Sequence, residues 1–139
     1  MSAAGHDERL EPGRTFTFRR TFTDGDVALF CGVTGDFNPY HLDDAFSAGG
    51  RFGRRIVPGL LTGSMLTHIG GLLGVLASRM TFDYERPVYV GDTVECVLTI
   101  DAVDERGRAE ASATFTNADG DVVLRATVSG RPTHVRLAR

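Results

Sequence analysis

The chain has 139 residues, of which 42% are hydrophobic, with a formal net charge of -3 and a pI near 5.7. This length supports one compact domain over residues 1–139, and the slightly acidic balance provides no basic field to hold nucleic acid. The two cysteines, Cys31 and Cys96, form no closely spaced pair, so we expect neither a disulfide framework nor a metal site. Two unpaired cysteines suit a reducing compartment, so we expect a cytoplasmic location.

The first third of the chain predicts a strand, a short helix and a loop. Residues 1–13 are polar, lack the pattern of a secretory signal and are expected to be a frayed lead-in. A strand follows, since phenylalanines alternate with polar residues from position 16. Asp24 is a suitable N-cap for a helix that ends at Gly35. The proline in Asn38-Pro39 breaks any helix there, so residues 36–41 are expected in a loop at a helix end.

A long uncharged run dominates the centre of the sequence. Residues 56–78 contain no Asp, Glu, Lys or Arg, which is long enough for a membrane span. Five glycines, Pro58 and several polar residues within the run favour instead a helix that begins near Pro58 and is enclosed by protein on all sides. We therefore expect no membrane association.

Beyond this helix the pattern changes to a period of two. Apolar residues alternate in four successive segments, near residues 80–84, 94–100, 109–115 and 122–128. The connections between them are short and rich in turn residues, which suits antiparallel neighbours. The order predicts an α+β fold in which a curved antiparallel sheet wraps around a long central helix.

The residues Gly35-Asp-Phe-Asn-Pro-Tyr-His-Leu-Asp43 contain the best candidates for chemistry. A carboxylate at Asp36 and an imidazole at His41 converge if the loop folds back, and together they supply the base and the acid that water addition to a conjugated double bond requires. The apolar residues beside Asp36 are expected to desolvate its carboxylate. Taken alone, however, such a pair more often caps turns.

This motif, together with Phe52-Gly-Arg-Arg-Ile-Val-Pro-Gly59 and Arg86-Pro-Val-Tyr-Val-Gly-Asp92, resembles the MaoC-like dehydratases and R-specific enoyl-CoA hydratases over nearly the whole chain. The resemblance implies a hot dog fold and a homodimer. It also implies a reversible addition of water to a trans-2-enoyl thioester of coenzyme A or acyl carrier protein, without a further cofactor. An acyl-CoA thioesterase of the same fold and a non-catalytic acyl-thioester binding module are the alternatives.

The resemblance also implies individual roles. Asp36 and His41 would hold the reacting water, and the backbone N–H of Gly59 would polarise the thioester carbonyl. Asn38 would fix the loop, and Thr67 would offer a hydroxyl or bond to its own helix. Residues of possible substrate contact are Tyr40, Pro58, Arg54 and Arg55, with Arg51 as a third arginine in the same segment. Relatives usually have His where this chain has Pro58, which leaves the substrate preference open.

Two features have a structural alternative. Small residues at 63, 67, 70, 71 and 74 fall along one face of the central helix, where tight packing against the sheet is favoured over a channel for the substrate. The arginines at 51, 54 and 55 are explained by solvation as readily as by coenzyme A phosphates. His68 is interpreted as a pocket or interface residue rather than a catalytic one.

Overall fold

In a computed structural model, which describes residues 10–133, the chain forms one antiparallel sheet packed against a helical segment. The elements are, in chain order, β1 (Thr15–Thr21), α1 (Asp24–Thr34), α2 (Pro39–Leu42), α3 (Asp44–Ala48), α4 (Gly59–Gly63), α5 (Met65–Leu73), β2 (Val75–Tyr84), β3 (Thr93–Val103), β4 (Ala109–Asn117) and β5 (Val122–Pro132). The α+β prediction is confirmed, and so are the four strands after the central helical segment.

The sheet order is β1-β3-β4-β5-β2, and every neighbouring pair is antiparallel. Alternate side chains of β3 and β4 point to the core, because successive residues of a strand face opposite sides of the sheet. The buried set is Val94, Cys96, Leu98, Ile100, Ala109, Ala111, Ala113 and Phe115. The strand β2 lies at one edge of the sheet and carries the exposed apolar side chains of Leu76, Met80 and Tyr84.

The central helical segment differs from the expected continuous helix. Ser64 separates α4 from α5, and residues 75–78, which belong to the uncharged run, enter β2 instead. The helix α5 buries Met65, Leu66, Ile69 and Leu73 against the sheet, but Thr67, His68 and Gly71 are exposed. The expectation of a helix enclosed on all sides is therefore wrong for the single chain. No helix among residues 10–133 has the length and hydrophobicity needed to cross a membrane.

The first helix is capped by a residue other than the one predicted. Thr23, not Asp24, is the N-cap of α1, because its extended backbone lets its hydroxyl accept from the Asp26 N–H while the Asp26 carboxylate accepts from the Thr23 N–H. The predicted end at Gly35 is confirmed, with a left-handed φ of 75°. This left-handed residue turns the chain into the loop that carries Asp36.

The prediction of a frayed lead-in over residues 1–13 is wrong for residues 10–13. Residues 1–9 lie outside the described part of the chain, whereas Leu10 is buried in the core and the Gly13 N–H donates to the Ile100 carbonyl oxygen at 2.8 Å. Residues 10–13 are thus attached to the end of β3 rather than frayed. The assignment of one domain to residues 1–139 stays a prediction.

The glycine stripe of the central segment has two different environments. A Cβ on Gly63 would lie 2.8 Å from the Phe82 ring, so α4 packs tightly on β2 there. A Cβ on Gly70 or Gly71 would meet nothing within 4 Å. The packing interpretation therefore fits Gly63, and open space adjoins the glycines of α5.

Candidate active site

The loop after α1 is held by short-range hydrogen bonds that set the position of each candidate side chain. The Thr34 hydroxyl accepts from the Asp36 N–H, and Asp36 Oδ1 accepts from the Asn38 N–H, both at 3.2 Å. Asn38 caps α2, since its Oδ1 accepts from the Tyr40 N–H at 3.1 Å. The supporting role expected of Asn38 is consistent with this bond. The helix α2 is a single turn that begins at Pro39, so it brings His41 back toward Asp36.

Asp36 and His41 come together as the motif predicts. Asp36 Oδ2 lies 3.6 Å from His41 Nε2, which is longer than a direct hydrogen bond. On its other side, His41 Nδ1 lies 2.8 Å from the carbonyl oxygen of Ile56. That carbonyl only accepts, so Nδ1 carries a proton, and in the neutral form of the ring Nε2 is an acceptor that faces Asp36.

The two partners differ sharply in exposure. His41 is buried, with 8% of its surface accessible, whereas 46% of the Asp36 side chain is exposed. Phe37, which was expected to shield the carboxylate, is itself 65% exposed. The expected desolvation of Asp36 is therefore absent in the single chain.

Arg55 holds the motif loop in place through hydrogen bonds. Its side chain is 14% exposed and bonds to the carboxylates of Asp24 and Asp44, and its Nη1 donates to the His41 carbonyl oxygen at 3.1 Å. The bonds to the two carboxylates raise the pKa of the guanidinium, which stays charged. These contacts occupy the group and do not support the phosphate role expected for Arg55.

A cavity of about 340 Å³ opens beside His41. Gly59, the first residue of α4, lines it, and no acceptor for the Gly59 N–H is present among residues 10–133. A Cβ at this position would lie 2.6 Å from the Tyr84 ring, so only glycine fits. Burial raises the pKa of the Tyr84 phenol, which therefore lines the cavity as a neutral group. Thr62, Arg51, Arg86 and Glu85, whose carboxylate pairs with Arg125 at 2.9 Å, complete the part of the wall that bears polar groups.

The remaining predicted residues lie in packing positions. The Thr67 hydroxyl donates to the Ser64 carbonyl oxygen at 2.6 Å, which is the helix-backbone alternative. Tyr40 packs edge-on against Phe46 and Phe52. Pro58 is fully buried as the residue before α4, and Arg54 lies over the Tyr89 ring. The structure does not bring these four side chains to the Asp36–His41 pair.

A second cavity, of about 290 Å³, lies farther along α5. Its lining is almost entirely apolar and includes Gly70, Gly71 and Met80, together with inner-face residues of β3, β4 and β5. Thr67 belongs to this cavity and not to the one beside His41. His68 stacks on Phe18 with ring centroids 3.8 Å apart and lines neither cavity.

Comparison with known proteins agrees with this arrangement. A family model described as a MaoC like domain matches residues 7–122. The chain belongs to the MaoC-like family. It is 34% identical over 122 residues to a 3-hydroxybutyryl-CoA dehydratase of Methylorubrum extorquens, covering 84% of this chain and 77% of the relative. It is 33% identical over 102 residues to the (R)-specific enoyl-CoA hydratase of Aeromonas caviae, covering 70% and 76%.

Solved structures place this MaoC-like chain among the hydratases in fold as well. The R-hydratase PhaJ1 from Pseudomonas aeruginosa in its unliganded form superimposes with a TM-score of 0.85 at 27% identity, covering 94% of this chain and 89% of that one. The (R)-hydratase from A. caviae involved in PHA biosynthesis also gives a TM-score of 0.85, at 29% identity, with coverage of 89% and 98%. The hot dog fold predicted from the resemblance is confirmed.

Among the polar residues of the cavity beside His41, sequence reasoning missed Thr62, Tyr84, Glu85 and Arg86. Thr62 is three positions after Gly59, and such residues share a helix face, so the sequence contained a signal for it. Tyr84 and Arg86 are brought to the site by the pairing of β2 with β5, which no local pattern specifies.

Proposed function

We propose that this MaoC-like protein is a hydro-lyase that adds water reversibly to a trans-2-enoyl thioester and gives the (R)-3-hydroxyacyl thioester. The observation that carries the proposal is the Asp36–His41 pair, 3.6 Å apart, in which His41 lines the same cavity as Gly59, the first residue of α4. Relatives named 3-hydroxybutyryl-CoA dehydratase and (R)-specific enoyl-CoA hydratase support the same reaction class and product configuration.

The geometry suits the handling of one water molecule. In the neutral imidazole, His41 Nε2 is an acceptor as Asp36 Oδ2 is, so a water between them donates one hydrogen to each and directs its lone pair at C3 of the enoyl group. As the C3–O bond forms, the π electrons move through C2 toward the thioester carbonyl oxygen, which accepts from Gly59 N–H. The proton that the pair takes from water is then delivered to C2. The reverse sequence eliminates water.

The substrate we propose is a coenzyme A thioester, and acyl carrier protein is the alternative carrier. Arg51 and Arg86 line the cavity beside His41, and no carboxylate of residues 10–133 lies within ion-pairing distance of either guanidinium. Such cations suit the phosphates of the carrier. Arg54, by contrast, faces Asp92 at 3.8 Å. The reaction requires no cofactor, since the pair itself performs both proton transfers.

We also propose that the active form is a homodimer. Among residues 10–133, no strand lies beside the outer edge of β2, and Leu76, Met80 and Tyr84 leave 69%, 36% and 54% of their surfaces exposed. An exposed apolar edge strand is a surface that pairs with another copy. Met80 lines the apolar cavity and Tyr84 lines the cavity beside His41, so a second copy on β2 would close both. We expect the protein in the cytoplasm, where its two free, buried cysteines suit reducing conditions.

The test is to follow the loss of the conjugated enoyl-thioester absorbance with crotonyl-CoA. Asp36→Asn removes a proton acceptor while keeping the shape of the side chain, so we expect the rate to fall by about 10²–10⁴-fold, the usual contribution of an acid–base group. Asp43→Asn is the matched control, because Asp43 caps α3 through Phe46 N–H and asparagine caps equally well.

Three outcomes would contradict the proposal. Release of free thiol without hydration would indicate a thioesterase, and binding of crotonyl-CoA with no reaction would indicate a binding module. Production of the (S)-3-hydroxy thioester would contradict the stereochemistry. Equal activity of Asp36→Asn and wild type would leave the reaction standing but remove Asp36 from it.

A further inference from the structure

The hydroxyl of Thr62 has an unusual environment for a threonine in a helix. It is 2% exposed, and its Oγ1 atom is buried without any hydrogen-bond partner. Two other threonines of the chain show the ordinary solution: the Thr34 hydroxyl donates to the Phe30 carbonyl oxygen at 2.8 Å, and the Thr67 hydroxyl donates to that of Ser64 at 2.6 Å. A buried hydroxyl with no partner is destabilising, so its presence in a folded protein calls for an explanation.

The position of Thr62 supplies one. Thr62 and Gly59 line the same cavity as His41, and they are three residues apart in the helical segment, which places them on one face. Because Cα–Cβ bonds tilt toward the N-terminus of a helix, the Thr62 side chain leans over the turn that Gly59 begins. Thr62 therefore brings an unpaired hydroxyl to the wall of this cavity.

We infer that the Thr62 hydroxyl is a second donor to the thioester carbonyl oxygen, beside the N–H of Gly59. This inference rests on the proposed function and adds a residue that contacts the substrate. The carbonyl oxygen of a bound thioester supplies the acceptor that the protein lacks, and it gains negative charge as water attacks C3. Two donors on adjacent positions of one helix face stabilise that charge more than a backbone N–H alone.

The other buried polar atom without a partner among residues 10–133 has a simpler explanation. Arg20 Nε is unpaired, but Arg20 Nη2 bonds to Asp26 at 2.6 Å and the guanidinium lies over the Phe22 ring. Arg20 lines neither the cavity beside His41 nor the apolar one. Thr62 thus combines an unpaired buried donor with a place in the wall of the candidate site.

The decisive experiment compares Thr62→Val with Thr62→Ser. Valine keeps the shape and removes the hydroxyl, so we expect kcat/KM for crotonyl-CoA to fall by about ten- to a hundredfold, the effect of one hydrogen bond to a group that becomes charged. Serine keeps the hydroxyl and should stay within a few-fold of wild type. Thr114→Val is the matched control for the same substitution, because Thr114 lies on β4 and lines neither cavity, and we expect little change in its kcat/KM.

Stability gives a readout in the opposite direction. Removing an unpaired buried hydroxyl should leave the thermal midpoint of Thr62→Val at or above that of wild type, whereas a structural hydroxyl would lower it. The infrared stretching frequency of the carbonyl of bound butyryl-CoA, which is unreactive, measures polarisation directly. We expect a shift to lower frequency in wild type and Thr62→Ser, and a smaller shift in Thr62→Val.

The inference is overturned if Thr62→Val keeps wild-type kcat/KM, or if Thr62→Ser loses as much activity as Thr62→Val. It is also overturned if the carbonyl frequency of bound butyryl-CoA is the same in both variants. Failure of the proposed function has a different signature, because wild type itself would then not hydrate crotonyl-CoA. In that case the butyryl-CoA frequencies still decide whether Thr62 contacts the thioester.

Discussion

His41 Nδ1 lies 2.8 Å from the Ile56 carbonyl oxygen, and this contact fixes which ring nitrogen of His41 faces Asp36. The acceptor belongs to the segment that leads into α4, so the same residue pair joins the motif loop to the segment that presents Gly59. Nδ1 therefore makes a structural hydrogen bond, whereas Nε2 faces Asp36 and acts in the proposed reaction. Substitutions can separate these two roles.

His41→Asn separates them. The amide nitrogen of asparagine can occupy the place of Nδ1 and keep a bond to Ile56, but nothing replaces Nε2. We expect this variant to unfold near the wild-type midpoint while losing hydration activity. His41→Ala loses the bond as well and should be less stable by about 1–3 kcal/mol, because the Ile56 carbonyl is left without its partner. Urea unfolding and the crotonyl-CoA assay measure both effects, and wild-type activity in His41→Asn would exclude Nε2 from the reaction.

Arg55→Ala should destabilise the protein by about 1.5–3 kcal/mol, because hydrogen bonds between charged groups are lost at a largely buried side chain. Activity should fall too, since Arg55 also holds the His41 carbonyl. Arg125→Ala is the control: its pair with Glu85 is formed by a side chain that is 54% exposed, so its loss should cost less than about 1 kcal/mol. Denaturant unfolding of the two variants gives the comparison, and equal costs would contradict the bracing role.

Gly63→Ala and Gly70→Ala should change stability in opposite directions. The new Cβ of the first would lie 2.8 Å from Phe82, and overpacking of this kind costs about 1–3 kcal/mol. The new Cβ of the second meets nothing within 4 Å, and alanine in a helix interior is favoured over glycine by about 0.5–1 kcal/mol. Thermal midpoints measure both changes. A loss of stability in both variants would mean that Gly70, too, is a packing glycine.

Gly70→Leu tests whether the apolar cavity receives the acyl chain. Leucine at this position fills part of a space of about 290 Å³, whose lining is apolar apart from the Thr67 side chain. We expect a folded protein whose kcat/KM falls more for octenoyl-CoA than for crotonyl-CoA. An equal effect on both substrates would place the acyl chain elsewhere.

Arg51→Ala combined with Arg86→Ala should raise KM for crotonyl-CoA and leave KM for the crotonyl thioester of N-acetylcysteamine, which has no phosphate, unchanged. The reason is that both arginines line the cavity beside His41 and that neither has a carboxylate partner within residues 10–133. Arg106→Ala, on the turn between β3 and β4, is the control for loss of surface charge. The effect should shrink at high salt, and a rise in KM for both substrates would contradict a phosphate contact.

The order of the elements, the end of α1 at Gly35 and the approach of His41 to Asp36 could be predicted from local signals, because they depend on capping, turn chemistry and a period of two. The prediction failed for α4 and α5, which apolar composition had suggested were one helix. Apolar composition indicates that a helix is buried but not which of its faces the sheet covers. The exposure of one side of α5 was therefore not predicted.

Long-range packing selects the side chains that share the cavity with His41, and local patterns do not report it. Arg55, which the sequence had suggested for substrate contact, is occupied by two carboxylates from distant positions of the chain. Thr67 bonds to its own helix, and the unpaired hydroxyl is that of Thr62. Pairing of β2 with β5 places Tyr84 over Gly59. Such contacts depend on long-range packing, which places Thr62 rather than Thr67 in the wall of the cavity beside His41.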